Sequence, residues 1–260
     1  MEGILQQLQT SRDNRTEFGQ TWTQGRSAFG GLSAAMALTG MRKLLPEEIP
    51  LRALLVSFVA PIPPGEVQVS ARCLRQGKNV IQMQADVLVG EQIGLQAMGI
   101  FGKSRKALSI PAQRTAAPES REKGKHFLDH AERLPAFLRQ FDGFWVSQGL
   151  PFSGTASNQL DLWCRHLSDL SAFPAEKLIA IADIPPPVIL SYYDQPPVPA
   201  SSLSWSLEFV KAPETIESDW FYLEFIAESA AEGYTQQSGR IYQEDGELCA
   251  LSRQCMVYFD

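Results

Sequence analysis

The 260-residue chain has few of the residues from which metal centres, disulfide scaffolds and nucleophilic triads are built. It holds three histidines and four cysteines. Cys73, Cys164, Cys249 and Cys255 form no C-x-x-C pair, and no charged-then-apolar leader precedes Gly19, so the expected setting is a reducing cytoplasm. His126 and His130 stand four residues apart without a third ligand, and they read as one face of a surface helix rather than a metal site. His166 has Ser and Asp neighbours but no nucleophile elbow, which argues against a Ser-His-Asp hydrolase. No apolar run approaches the roughly 20 residues of a membrane span. There is no basic excess either: 23 Lys and Arg against 29 Asp and Glu give a net charge of −6, which argues against nucleic-acid binding. A hydrophobic fraction of 44% and a charged fraction of 20% remain, ordinary for a soluble globular chain large enough for one domain or two of similar size.

What is present is a repeat. Leu54 to Ser104 gives L-L-V-S-F-V, a Pro/Gly break, V-Q-V-S-A-R-C-L-R-Q-G, V-I-Q-M-Q-A-D-V-L-V, then I-G-L-Q-A-M-G-I-F-G. Ser204 to Asp260 follows the same order with a longer break near Pro213. Phe58-Val59 recurs as Phe209-Val210 at an offset of 151, and Gly77 and Gly90 recur as Gly233 and Gly246 at an offset of 156. Two fused copies of one fold are expected, and function belongs where they differ.

Thr16 to Thr23 reads as a first strand. After Phe29-Gly30-Gly31, an Ala-rich stretch with Leu32, Ala35, Met36, Leu38, Met41 and Leu44 reads as an enclosed helix that Pro46 stops. Four Val- and Ile-rich runs, about 51 to 60, 66 to 75, 79 to 89 and 92 to 102, predict an antiparallel meander wrapped on that helix. The second half repeats the plan with extended segments at 144 to 148 and 159 to 165. Its helix opens at Pro174 and is stopped by Pro185-Pro186-Pro187. Lys103 to Lys125, rich in Lys, Arg, Ser and Pro, reads as a solvated and partly mobile crossover.

Phe29-Gly30-Gly31, the strand Leu55-Val56-Ser57-Phe58 with its Pro-rich turn, and Leu74-Arg75-Gln76-Gly77-Lys78 resemble the first hotdog of the acyl-CoA thioesterase II family, and the second half resembles its second hotdog. The resemblance runs from about Thr16 to Phe259. It implies an α+β double hotdog, two antiparallel sheets each wrapped around a central helix. The first hotdog would span 1–103, a linker 104–140 and the second hotdog 141–260.

It also implies an active site of an Asp at the end of the second helix, a Thr on the following strand and a Gln on the last strand. These positions fall on Asp183, Ser202 and Gln254; serine keeps the hydroxyl and drops the methyl. In that reading Asp183 accepts a proton from, or orients, a water that Ser202 and Gln254 hold. At the amino end of the first helix Gly31 donates its N–H to the thioester oxygen, and Gly30 permits that oxygen's close approach. By the two offsets, Gln254 corresponds to Met98 and Ser202 to Leu51, apolar residues that cannot hold water. One centre is therefore expected where the halves meet.

The implied reaction is hydrolysis of a fatty or related acyl-CoA to free acid and coenzyme A, without a metal or other cofactor. Coenzyme A enters as part of the substrate, and Lys103, Arg105, Lys106 and Arg114 are linker residues with a minor prospect of meeting its phosphates. Two alternatives stand beside it: a non-catalytic acyl-thioester binder, and a hotdog hydratase, which would need a His beside Asp183. Met36, Met41 and Phe58 are candidate acyl-tunnel residues. Homodimerisation is expected from the resemblance, while pairing of the two copies within the chain would bury the strand edges that hotdog sheets usually pair.

Overall fold

The computed structural model describes residues 1–115, 119–129, 134–147 and 149–259. The chain opens with helix α1 (Glu2–Thr10), which the sequence pattern did not single out and which buries Leu5 and Leu8. Strand β1 (Arg15–Phe18) follows; the expected strand through Thr23 is broken by a 3-10 turn at Gln20–Trp22, after which β2 (Thr23–Gln24) pairs with β3 (Ser27–Ala28). Helix α2 (Gly30–Arg42) is buried at every residue from Gly31 to Met41. Small residues on all its faces let surrounding strands approach it closely, the expected behaviour of a helix without a polar side. Leu44, counted in the helical pattern, lies beyond its end and is about half exposed.

Strands β4 (Leu51–Phe58), β5 (Gly65–Gln76), β6 (Val80–Val89) and β7 (Gln92–Gly102) form the meander. In β6, Ile81, Met83, Ala85 and Val87 point inward while their neighbours do not, the period-two burial of a half-covered sheet. The second half runs through β8 (Lys125–His126), β9 (Phe141–Trp145), β10 (Gln159–His166), α3 (Pro174–Ala182), β11 (Ala200–Phe209), β12 (Phe221–Ala231), β13 (Tyr234–Gln243) and β14 (Leu248–Tyr258).

The strand order β1-β5-β6-β7-β4-β11-β14-β13-β12-β10-β9-β8 forms one twelve-stranded antiparallel sheet. Read outward from the centre, β4-β7-β6-β5-β1 and β11-β14-β13-β12-β10 are the same topology, so the duplication expected from sequence is a duplication of strand order. The expectation of two sheets is corrected to one, and the pairing of the two copies within the chain, also expected, is what joins them. Strand β4 pairs with β11 from Ser57↔Ser204 to Ala53↔Glu208, so the ladder crosses from one half to the other without a break. Joining the two edges satisfies backbone groups that would otherwise face solvent or another chain.

The crossover is also less free than its composition suggests. Leu108 and Ile110 are 95% and 85% exposed, but the chain beyond them is held down. Leu248 N–H donates to Gln113 O, Thr115 N–H donates to Gly246 O, and the Trp163 indole donates to Glu119 O at 2.7 Å. Arg121 stacks over Trp220 at 4.6 Å. Arg114 pairs with Asp245 and Lys103 with Glu47. His126 lies on β8 rather than on a helix, 3.0 Å from Asp142 Oδ1, and its supposed partner His130 lies outside the described residues. Among the described residues, no helix is long and apolar enough to cross a membrane.

Candidate active site

Helix α3 starts with Pro174 at its first turn, buries Leu178, Ile179 and Ile181, and ends at Ala182. Asp183 is its C-cap, separated from the three prolines by Ile184 alone. The amino end of α2 meets this end of α3. A Cβ built on Gly31 would lie 2.9 Å from Ala180 Cα, and one on Gly30 would lie 2.7 Å from Asp183 Oδ2 and 2.8 Å from Phe58 Cε1. The pair of glycines therefore provides the close approach that puts a carboxylate at a helix N-terminus, where N–H groups lack intrahelical partners and the dipole favours negative charge.

The Asp183 carboxyl faces this helix end, where the Gly31 backbone N–H favours its charged form. From the sheet, Gln254 Nε2 donates to Asp183 Oδ1 at 2.9 Å. The residue keeps some accessible surface, but its carboxyl is enclosed, and burial pushes its pKa up to about 7 against the opposing pull of Gly31 and Gln254. Such a group is poised to exchange a proton near neutral pH.

Four of the five expected site residues are thus together: Asp183, Gln254, Gly30 and Gly31. Ser202 is not joined to them by a hydrogen bond. It pairs with Met256, two positions along β14 from Gln254 and on the same inner face, so roughly 7 Å of strand separates the two rows. Phe58 sits beside Gly30, whereas Met36 and Met41 are fully buried in the common core. Met41 lies against Gly99, near the far end of α2.

Two further glutamine contacts extend the site. Gln237 Nε2 donates to Gln254 Oε1 at 2.8 Å, and Val188 N–H donates to Gln237 Oε1 at 3.0 Å. Sequence reading missed Gln237. Its signal was a polar residue at an inward position of β13, which becomes informative only once the register sets it opposite Gln254.

The register also corrects the comparison of copies. Val59 and Ala60 both donate to Gly94 O, as Val210 and Lys211 both donate to Cys249 O, which fixes the β7-to-β14 offset at 249 − 94 = 155. Gln254 therefore corresponds to Gly99 (254 − 155) and not to Met98, which lies on the other face; a slip of one residue exchanges the faces of a strand. Met83 pairs with Gly99 as Gln237 pairs with Gln254. Ser202 remains equivalent to Leu51: Leu51 pairs with Phe101 and Ser202 with Met256, each just before a bulge.

The opposite ends of the two helices form the pseudo-equivalent place. There Glu176, fully buried, accepts from Thr39 Oγ1 at 3.2 Å and pairs with Arg42, which also holds Glu214. Ion pairing fills the position at which a second centre would stand. Lys43, the C-cap of α2 as Asp183 is of α3, donates to Leu8 O, Ser11 O and Asn14 Oδ1, tying down the end of α1.

The chain matches the acyl-CoA thioesterase N-terminal domain over residues 18–102 and the acyl-CoA thioesterase C-terminal domain over residues 111–258. Three solved structures are similar over nearly their whole length. A hot dog fold protein of unknown function from Alicyclobacillus acidocaldarius has 18% identity and a TM-score of 0.85, covering 98% of each chain. A tesB protein from Mycobacterium avium subs paratuberculosis has 17% identity and a TM-score of 0.75, covering 99% of each. An acyl-CoA thioesterase II from Mycobacterium marinum has 16% identity and a TM-score of 0.73, covering 94% of this chain and 92% of its own. No curated protein sequence matches the chain.

Proposed function

Since the chain belongs to the acyl-CoA thioesterase family, a family of thioester hydrolases, we propose that it hydrolyses a fatty or related acyl-CoA with Asp183 as general base. The observation that carries this reading is the Asp183 carboxyl held between Gln254 and the amino end of α2. A water beside Asp183 gives up a proton to the carboxylate as its oxygen attacks the thioester carbonyl carbon, and the thiolate of coenzyme A leaves from the tetrahedral intermediate. The Gly31 N–H, expected to meet the thioester oxygen, instead favours the charged base, and the Gly30 N–H, which has no partner among the described residues, is left for the developing oxyanion. In this reading Ser202, on the inner face beyond Gln254, meets the water or substrate rather than the base.

Among the described residues, Asp183 has no histidine partner; His166, on β10, packs at a tilt against Phe141. This supports hydrolysis over hydration. No group of three or more His, Cys, Asp or Glu that could hold a metal occurs among the described residues. A panel of acyl-CoA esters of increasing chain length, followed with a thiol reagent, tests the reading. Free thiol is expected from at least one ester. Tight binding without thiol release would favour an acyl-thioester binder, and loss of an enoyl-CoA double bond without thiol release would favour a hydratase.

The raised pKa predicts the pH dependence. Activity requires the carboxylate, so kcat/KM should rise with pH through about 7, being about a tenth of its plateau one unit below that value. Stability from the same group runs the other way. Between the ordinary value of 3.8 and about 7 the folded state binds the proton that the unfolded chain has released. The contribution of Asp183 is therefore greatest below 3.8 and is lost as pH rises through about 7. The difference in unfolding free energy between the parent and Asp183→Asn, followed from pH 4 to 8, isolates this group from other titrating residues.

A further inference from the structure

We propose that Gln237 is a positioning residue that fixes the direction of the Gln254 amide, so that Gln254 can present only an N–H to the Asp183 carboxyl. This inference rests on the reading of Asp183 as the base.

A carboxamide is nearly symmetrical in shape but has a donor at one end and an acceptor at the other, so a buried glutamine needs something that tells the ends apart. Here the chain of contacts begins at a backbone N–H, which cannot reverse. Val188 N–H donates at 3.0 Å to Gln237, which must turn its oxygen toward it. The Gln237 amino group then faces Gln254 at 2.8 Å, so the oxygen of Gln254 must face Gln237. Its amino group is left for Asp183, 2.9 Å away. Reversing either amide would set donor against donor inside the core, where Gln237 is fully buried and Gln254 is 3% exposed.

The local sequence supplies the origin of this chain. Pro185-Pro186-Pro187 carries the backbone away from α3 in restricted geometry and delivers Val188, five residues after Asp183, to the first turn of the 3-10 helix Val188–Tyr192. Its N–H is one that such a turn leaves without an internal partner, and Gln237 takes it. The two copies differ at both glutamines together. Where the second half pairs Gln237 with Gln254, the first pairs Met83 with Gly99, two positions that cannot form an amide relay. A glutamine buried only to fill space would not be expected to change in step with the one that touches the base.

The consequence for chemistry is the polarity of the field at Asp183. An N–H from Gln254 favours the carboxylate, whereas a carbonyl oxygen in its place would favour the protonated acid. Burial raises the pKa of Asp183, and Gly31 and Gln254 oppose it; no charged side chain is among these influences. The ion pair of Arg42 with Glu176 lies at the other end of the two helices.

The test is the pH profile of two variants. Gln237→Met removes the amide while keeping length and burial. Gln237→Glu, when ionised, offers only acceptors, which draws the amino group of Gln254 toward itself and turns the carbonyl toward Asp183. The acid limb of kcat/KM is expected to move upward by about one pH unit in Gln237→Met and by more in Gln237→Glu, with kcat at pH 7 reduced about 10- to 100-fold. A role confined to packing would lower the melting temperature and leave the limb in place, and that outcome overturns the inference. If Asp183→Asn retains activity, the underlying reading of the base fails instead; if Asp183→Asn is inactive but both Gln237 variants keep the parent profile, only the inference fails. Should neither variant fold, a neutron crystal structure of the unmodified protein decides: deuterium on the Gln254 atom facing Asp183 supports it, and a bare oxygen there refutes it.

Discussion

Asp183→Asn is expected to reduce kcat by about 10²- to 10⁴-fold while the protein remains folded, because it removes the proton acceptor and keeps the shape of the side chain. Asparagine retains one oxygen that can accept from Gln254 Nε2, so the strand contact at 2.9 Å has a substitute partner. It cannot also serve as a base. KM for the acyl-CoA should change much less than kcat, since the carboxyl contacts the reacting water rather than the body of the substrate. The rise in activity near pH 7 should disappear from whatever rate remains. Steady-state kinetics with a thiol reagent from pH 5.5 to 8.5, together with the thermal transition of each protein, gives all three readouts. A folded Asp183→Asn protein turning over at the parent rate would remove Asp183 from the chemistry.

Sequence patterning carried the fold a long way because the chain repeats itself. Periodicity in β4 to β7, the enclosed character of α2 and the Pro-bounded start and stop of α3 all express local rules, and the folded chain follows them to within a few residues. What patterning could not resolve is register. An offset read from turn glycines paired Gln254 with Met98, whereas the ladder pairs it with Gly99, because loop length absorbs residues without a trace in the strands. The same limit hid Gln237, whose neighbour is set by pairing between β13 and β14. An edge-to-edge join of the two copies was expected, but not which strands make it, since nothing in β4 or β11 alone says that their open edges face each other. Asp183 and Gln254 were reached through family resemblance. Composition by itself would have left one a helix-end carboxylate and the other a sheet residue.

The glycine pair at the start of α2 provides the second large effect, and its two members should fail in different ways. Neither has a positive φ, so the requirement at both is space and not backbone freedom. At Gly30, an added methyl would meet Asp183 Oδ2 at 2.7 Å and the Phe58 ring at 2.8 Å. Both are side-chain ends that can rotate away, and alanine is the better helix former by up to about 1 kcal/mol, so Gly30→Ala should fold with nearly parental stability. The displaced atom, however, is the base. A shift of even a fraction of an ångström breaks its alignment with Gln254 and the helix end, and kcat/KM should fall about 10²-fold. At Gly31, the methyl would meet the Phe29 ring at 2.7 Å and Ala180 Cα at 2.9 Å. The second contact is backbone of α3, which can yield only if the two central helices separate, so Gly31→Ala should lose about 1–3 kcal/mol of stability as well as activity. Denaturant unfolding and kinetics on the two variants separate these outcomes. A Gly30→Ala protein with parental kcat/KM would show that the carboxylate need not stand at the helix end, and the catalytic arrangement argued from that juxtaposition would fall.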